Sequence, residues 1–172
     1  MADSMRTAEA SGSREVASRG RCMCVCVGSS SYGLPLENVQ EVVGVRAVTR
    51  VFHGPSALAG IINLRGEVLP ILDLPVLLGT DAEPSTHADA RIVVVCEPAG
   101  AKRRAGLRVD ALLGLLDIPL AGLLATPSSL SAVLRGFVVG VIPTSPPCAV
   151  LDVSSLLGAP ELSSLVGISA AE

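Results

Sequence analysis

The stretch running Asn63-Leu64-Arg65-Gly66-Glu67-Val68-Leu69-Pro70-Ile71-Leu72-Asp73-Leu74 constrains the fold more than any other part of this chain. A charged corner, Leu64 to Glu67, leads directly into Val68 to Leu72, a run so apolar that it has to be buried. Asp73 then opens a short apolar helix, and Gly79 is placed to close it. A weaker copy follows in the second half: Leu134-Arg135-Gly136, then Val150-Leu151-Asp152-Val153 and Leu156-Leu157-Gly158.

The copy extends beyond this stretch. Residues 22–27 map onto 92–97, Val39 onto Val109, Gly44 onto Gly114, and Leu64-Arg65-Gly66 onto Leu134-Arg135-Gly136, all at one separation. Leu72-Asp73 maps onto Leu151-Asp152, and Gly79 onto Gly158, at a larger one. A loop insertion around Pro143 to Pro147 accounts for the change. The chain therefore reads as two versions of one small β unit. Short strands joined by Gly, Pro and Ser turns favour small barrels over a flat sheet. Hydrophobic residues make up 49% of the 172 and aromatics only 2%, so the core is aliphatic.

In chain order, Cys22 to Val27 is a first strand, Gly28 to Ser31 a turn, Tyr32 to Leu36 a second strand and Val39 to Val45 a third. Pro55 to Gly60 reads as one helical turn, with proline at its start and glycine past its end. Thr80 to Ala90 is polar and turn-rich, a linker. Arg91 to Cys96, Gly106 to Val109 and Ala111 to Leu116 resume as strands. Residues 1–20 are small and polar, a disordered tail lacking the apolar segment of a secretory signal.

Composition excludes several function classes. Formal net charge is -3, and Tyr32, Phe52 and Phe137 are the only aromatic residues, so both the positive footprint and the stacking platform of a nucleic-acid binder are missing. No apolar run approaches the ~18 residues of a membrane span, and the expected compartment is the cytoplasm. Five cysteines, an odd number, suggest free thiols. Cys22, Cys24 and Cys26 share one face of a strand and read as small hydrophobes lining a barrel interior. No histidine or second cysteine pair nearby completes a zinc spacing.

Few residues offer chemistry. Asp73 and Asp152 are paired carboxylates that could do acid/base work, but each precedes a short Leu-rich turn ended by glycine, which favours helix capping. His53 and His87 complete no Ser-His-Asp or Cys-His arrangement, and Gly100 to Arg104 lacks the P-loop frame. No catalytic residue, cofactor or metal is expected. Glu41 and Arg65 stand apart, as charges held in apolar frames. They are either ordinary surface charges, worth ~0–1 kcal/mol even in contact, or a partly buried pair whose breaking costs ~3–5 kcal/mol.

From Tyr32 to Gly79 the chain resembles the coupling proteins of bacterial chemotaxis, the CheW-like family. The residues that carry the likeness are Gly28, Tyr32-Gly33-Leu34, Val39-Gln40-Glu41-Val42, Thr49-Arg50, Pro55, Gly60, Asn63-Leu64-Arg65-Gly66, Val68, Pro70, Ile71 and Asp73-Leu74, in the family's order and spacing. Gly106 to Asp110 and Val150 to Asp152 continue it more weakly. The resemblance implies a mainly β fold: two intertwined SH3-like five-stranded β-barrel subdomains around a shared aliphatic core, with short helices. The first barrel is expected over about 21–80, the linker over 80–90, the second barrel over about 91–158, and a C-terminal segment over 159–172.

The resemblance further implies a non-enzymatic scaffold joining the cytoplasmic tip of methyl-accepting chemoreceptors to the regulatory domain of a CheA-type histidine kinase. Recruitment to membrane-associated receptor arrays follows from that role, without insertion in the membrane. Receptor tips, as helical hairpins, would lie in a groove between the subdomains. Glu41 and Arg65 match a family charge pair, and Val39, Val42, Asn63 and Leu64 flank it as expected partner contacts. The alternative is a CheW-like competitor that binds only one of the two partners. Cysteines in the first strand and the basic Arg103-Arg104 depart from the family pattern.

Overall fold

The computed structural model describes residues 20–83, 87–97, 103–118, 122–160 and 162. The expected tail, apart from Gly20, and residues 163–172 of the C-terminal segment lie outside them. Among the described residues ten strands form two five-stranded sheets. The strands are β1 (Gly20–Val27), β2 (Ser30–Pro35), β3 (Val39–Gly44), β4 (Leu58–Leu64), β5 (Glu67–Leu72), β6 (Arg91–Cys96), β7 (Arg104–Val109), β8 (Ala111–Ile118), β9 (Val138–Ile142) and β10 (Cys148–Leu151). Three short α-helices, α1 (Leu74–Leu78), α2 (Ala132–Arg135) and α3 (Val153–Leu157), and a 3-10 turn over Leu36–Asn38 accompany them among the described residues.

One sheet, barrel I, has the order β3-β6-β7-β5-β4; the other, barrel II, has β8-β1-β2-β10-β9. Replacing each strand of one order by the strand five places away in the chain produces the other. The two halves are thus repeats, but each half contributes its first two strands to the sheet built mainly by the other. The barrels do not divide at the 80–90 linker: β1 and β2 belong with β8 to β10, and β6 and β7 with β3 to β5.

Strand pairing identifies the equivalent residues. Cys24 faces Gly33 across the β1–β2 ladder as Val94 faces Gly106 across β6–β7. Both edge strands carry a bulge at the same place: Glu41 pairs with Val94 and Val39 with Val95, just as Gly114 pairs with Cys24 and Leu112 with Val25. Val39, Glu41 and Val42 therefore correspond to Leu112, Gly114 and Leu115. The correspondences of Val39 with Val109 and of Gly44 with Gly114 do not hold: the bulge is common to both halves, but the β6–β7 connection is longer than the β1–β2 turn and shifts the register of everything after it.

Nor does Leu134-Arg135-Gly136 correspond to Leu64-Arg65-Gly66. Residues 134–136 end α2 and precede β9, whereas the counterpart of the β4–β5 corner is the 143–147 connection between β9 and β10. The match arose because leucine and glycine recur often in so aliphatic a chain. Measured between the paired Ile142 and Cys148, that connection is slightly shorter than the stretch from Ile62 to Leu69, so the expected insertion around Pro143 to Pro147 is not there; the extra residues lie between β8 and β9. The expected helical turn over Pro55 to Gly60 is cut to one hydrogen-bonded turn, the Leu58 N–H donating to the Pro55 carbonyl at 2.9 Å; Leu58, Ala59 and Gly60 begin β4, drawn into extended pairing with β5.

Three buried clusters explain the apolar runs. Cys22, Cys24, Ile118, Ile142, Cys148 and Val150 fill barrel II, and Ile62, Leu64, Leu69, Ile71, Ile92 and Val94 fill barrel I. The largest cluster lies between the sheets and joins Val25, Val27, Tyr32 and Leu34 to Val93, Val95, Leu107, Val109 and the apolar faces of α1 and α3. Strands β1 and β6 thus bury both faces, one in a barrel and one in the shared core, so they read as unbroken apolar runs rather than as alternation. Cys22, Cys24 and Cys148 stand where barrel I has Ile92, Val94 and Leu69, and act as small hydrophobes. Cys26 alone of the first-strand cysteines is only half-buried, bonding through Sγ to the Gly28 carbonyl at 3.3 Å.

Candidate functional surface

The β4–β5 hairpin turns through two residues, Arg65 and Gly66, between the paired Leu64 and Glu67. Both have positive φ, 55° and 88°, the requirement of a type I′ turn that matches strand twist. An arginine in this region is uncommon. Asn63 holds the turn from below, its Oδ1 accepting a bond from the Gly66 N–H at 2.8 Å.

The turn aims the Arg65 guanidinium at β3. Nη1 donates to Glu41 Oε1 at 3.0 Å and Nη2 to Oε2 at 2.7 Å, a bidentate pair. Strand β3 is one edge of the barrel I sheet and β4 the other. The pair therefore joins the two open edges, alongside a bridge in which Thr49 and Ile61 exchange backbone bonds of 2.9 and 2.8 Å. Barrel II repeats the bridge with Leu124 and Val141 but has Gly114 where barrel I has Glu41, so it lacks the charged clip.

The Arg65 side chain is 76% exposed and that of Glu41 20%. The pair is real but open to solvent on the arginine side, so its contribution to stability is ~0.2–1 kcal/mol rather than the several kcal/mol of a buried pair. Its effect is to fix two charges in one geometry on the surface. A second pair flanks it: Glu67, next in the hairpin, bonds Arg104 of β7. Arg103 bonds Glu97. The basic Arg103-Arg104 of the sequence is thus neutralised by two carboxylates.

The remaining expected contacts divide. Val39 and Val42 are half-buried against the shared core, at the seam between the barrels. Asn63 is exposed, but its carbonyl is engaged by the turn. Leu64 is 2% exposed and packs inside barrel I, so it anchors the hairpin from within and offers no surface. Sequence reading missed the counterpart of this surface in barrel II, where Leu112, Leu113 and Leu115 of β8 are exposed. The correct repeat register would have revealed it.

Asp73 and Asp152 are both helix caps. Asp73 Oδ1 accepts from the Val76 N–H at 3.2 Å, and α1 ends at Gly79 with φ 64°. Asp152 accepts from the Ser154 and Ser155 N–H groups and from the Ser155 hydroxyl. Among the described residues no three His, Cys, Asp or Glu side chains are grouped to hold a metal ion, and no helix is long and apolar enough to cross a membrane.

Residues 21–161 match the family model of the CheW-like domain. A chemotaxis protein CheW of Rhizobium meliloti is 33% identical over 67% of this chain and 72% of its own. A probable chemotaxis protein CheW of Rhizobium etli is 30% identical over the same shares of the two chains. The crystal structure of the scaffolding protein TtCheW from Thermoanaerobacter tengcongensis superposes with a TM-score of 0.71 at 27% identity, covering 83% of this chain and 90% of that one.

Proposed function

The chain belongs to the CheW-like family, and from that membership we propose that it holds the tips of methyl-accepting chemoreceptors and the regulatory domain of a CheA-type histidine kinase in one complex. It is a non-enzymatic scaffold of chemotaxis signal transduction that couples receptors to kinase. The observation that carries the finer reading is the Glu41–Arg65 clip, a bidentate pair held on the surface where it adds little stability. Beside it Val39 and Val42 line the seam between the barrels. An amphipathic helix laid along that seam meets apolar side chains below and a fixed charge pair at the rim, the pattern of helix-in-groove recognition. The protein acts in the cytoplasm and is recruited to receptor arrays by these contacts.

Coupling requires simultaneous binding and a difference in fit between signalling states. The test is kinase autophosphorylation with receptor fragments, with and without this protein. A strong rise that Arg65→Glu abolishes supports the coupler and its surface. Kinase binding without any rise makes the protein a competitor for one partner.

A further inference from the structure

The β4–β5 corner extends beyond the ladder that supports it. Strand β5 pairs with β7 only at Ile71 and Leu72, so Glu67 to Pro70 have a ladder partner on the β4 side alone. The cause lies in the sequence. In this two-residue hairpin Glu67, Leu69 and Ile71 turn their N–H groups to β4, which leaves positions 68, 70 and 72 to face β7. Position 70 is proline, which has no N–H to give, and the ladder stops there.

Beyond that stop, side chains take over. Glu67 bonds Arg104, the first residue of β7. On the other side of the corner Arg65 bonds Glu41 of β3. Four charges of alternating sign, Glu41, Arg65, Glu67 and Arg104, thus run across this end of barrel I and hold the corner between two ion pairs. Arg104 is itself fixed. Its backbone pairs with Cys96 of β6. The neighbouring Arg103 grips Glu97 through two bonds of 3.1 and 2.6 Å and reaches the Leu157 carbonyl, at the end of α3, at 3.4 Å. The Arg104 side chain is 28% exposed and that of Glu67 68%, so the arginine is the post and the carboxylate the part it holds.

We propose that Arg104 is a positioning residue for the partner surface: through Glu67 it keeps the β4–β5 corner in the place from which Arg65 reaches Glu41. Its effect on partners rests on the coupling reading above, and its effect on the corner does not. Without Arg104 the corner pivots on the Ile71–Leu72 anchor, and an unpaired Glu67, two residues from Arg65, becomes a second acceptor for the guanidinium.

The test is residue-resolved amide hydrogen exchange of the full chain, followed by binding. In Arg104→Gln the Gly66 N–H, which bonds Asn63, should exchange about threefold faster, the size set by loss of an exposed pair. The Leu72 and Leu107 amides should not change. Arg104→Lys keeps the charge and should restore much of the protection. Affinity for receptor fragments or the kinase regulatory domain should fall about threefold or more in Arg104→Gln, and no further when Glu67→Gln is added, because both changes remove one pair. Unchanged exchange at Gly66 would overturn the proposal. So would equal acceleration at Leu72, which would make Arg104 a general stabiliser, and so would faster exchange at Gly66 with unaltered affinity in a chain that binds its partners. If the unsubstituted chain binds neither partner, the coupling reading fails, while faster exchange confined to the corner still upholds Arg104 as the residue that holds it.

Discussion

Gly33 and Gly106 occupy equivalent positions on β2 and β7, each beneath the packed interior of its own barrel. A Cβ on Gly106 would lie 2.6 Å from Ile71 Cδ1 and 2.7 Å from Ile92 Cγ2. A Cβ on Gly33 would meet Cys22 Sγ at 3.1 Å and Cys148 Sγ at 3.3 Å, the sulfurs standing where the other barrel has larger groups. Overpacking of a full core costs ~1–3 kcal/mol. Gly106→Ala should therefore destabilise by about that amount and Gly33→Ala by clearly less. Urea midpoints of the two variants decide it, and equal shifts would contradict the packing difference.

The clip predicts a separation of binding from stability. Arg65→Glu removes an exposed pair and places two carboxylates together, so the urea midpoint should move by the equivalent of ~1 kcal/mol or less. Receptor-dependent kinase activation should nevertheless fall strongly. Adding Glu41→Arg restores opposite charges in reversed order and should recover part of that loss. Simple additivity in the double variant would show the two residues to be uncoupled.

The two caps predict the opposite pattern. Asp73→Ala and Asp152→Ala each remove side-chain bonds to a helix start, at a cost of ~1 kcal/mol, with coupling unchanged in folded protein. Asp152 also accepts from the Ser155 hydroxyl, so its loss should be the larger. Thermal melts paired with the kinase assay check both. Abolished coupling at full stability would restore a chemical role for these carboxylates.

The thiols of barrel II set an alkaline limit. Cys24 is pushed up chiefly by burial; Cys22 and Cys148 share one hydrogen bond that lowers the first and raises the second, so the alkaline effect is carried by Cys24. A thiol is neutral when protonated, and in the unfolded chain it ionises near pH ~8.5. Because the folded pKa is raised above the unfolded one, the stability contribution is fully present below about pH 8.5 and is lost as pH rises through and beyond it. Urea midpoints should therefore fall in alkali. Cys24→Val, which installs the residue found at the equivalent Val94, should flatten that fall. A slope unaffected by Cys24→Val would assign the alkaline loss to other groups.

Local chemistry was legible in the sequence. Asp73 with Gly79 marked a capped helix, Arg65-Gly66 a turn, and Cys22 to Val27 and Arg91 to Cys96 buried strands, because caps, turns and unbroken apolar runs are set by residues near one another in the chain. The presence of a repeat was legible for the same reason. Its register was not, since the β6–β7 connection is longer than the β1–β2 turn, and that difference becomes visible only through which residues pair across each ladder. The exchange of β1 and β2 for β6 and β7 between barrels, the burial of Leu64 beside an exposed Arg65, and the reach of Arg65 across to Glu41 were decided by tertiary structure alone. Each depends on which distant strand lies alongside, and in so aliphatic a chain many pairings satisfy the local pattern while one buries both faces of β1 and β6 at once.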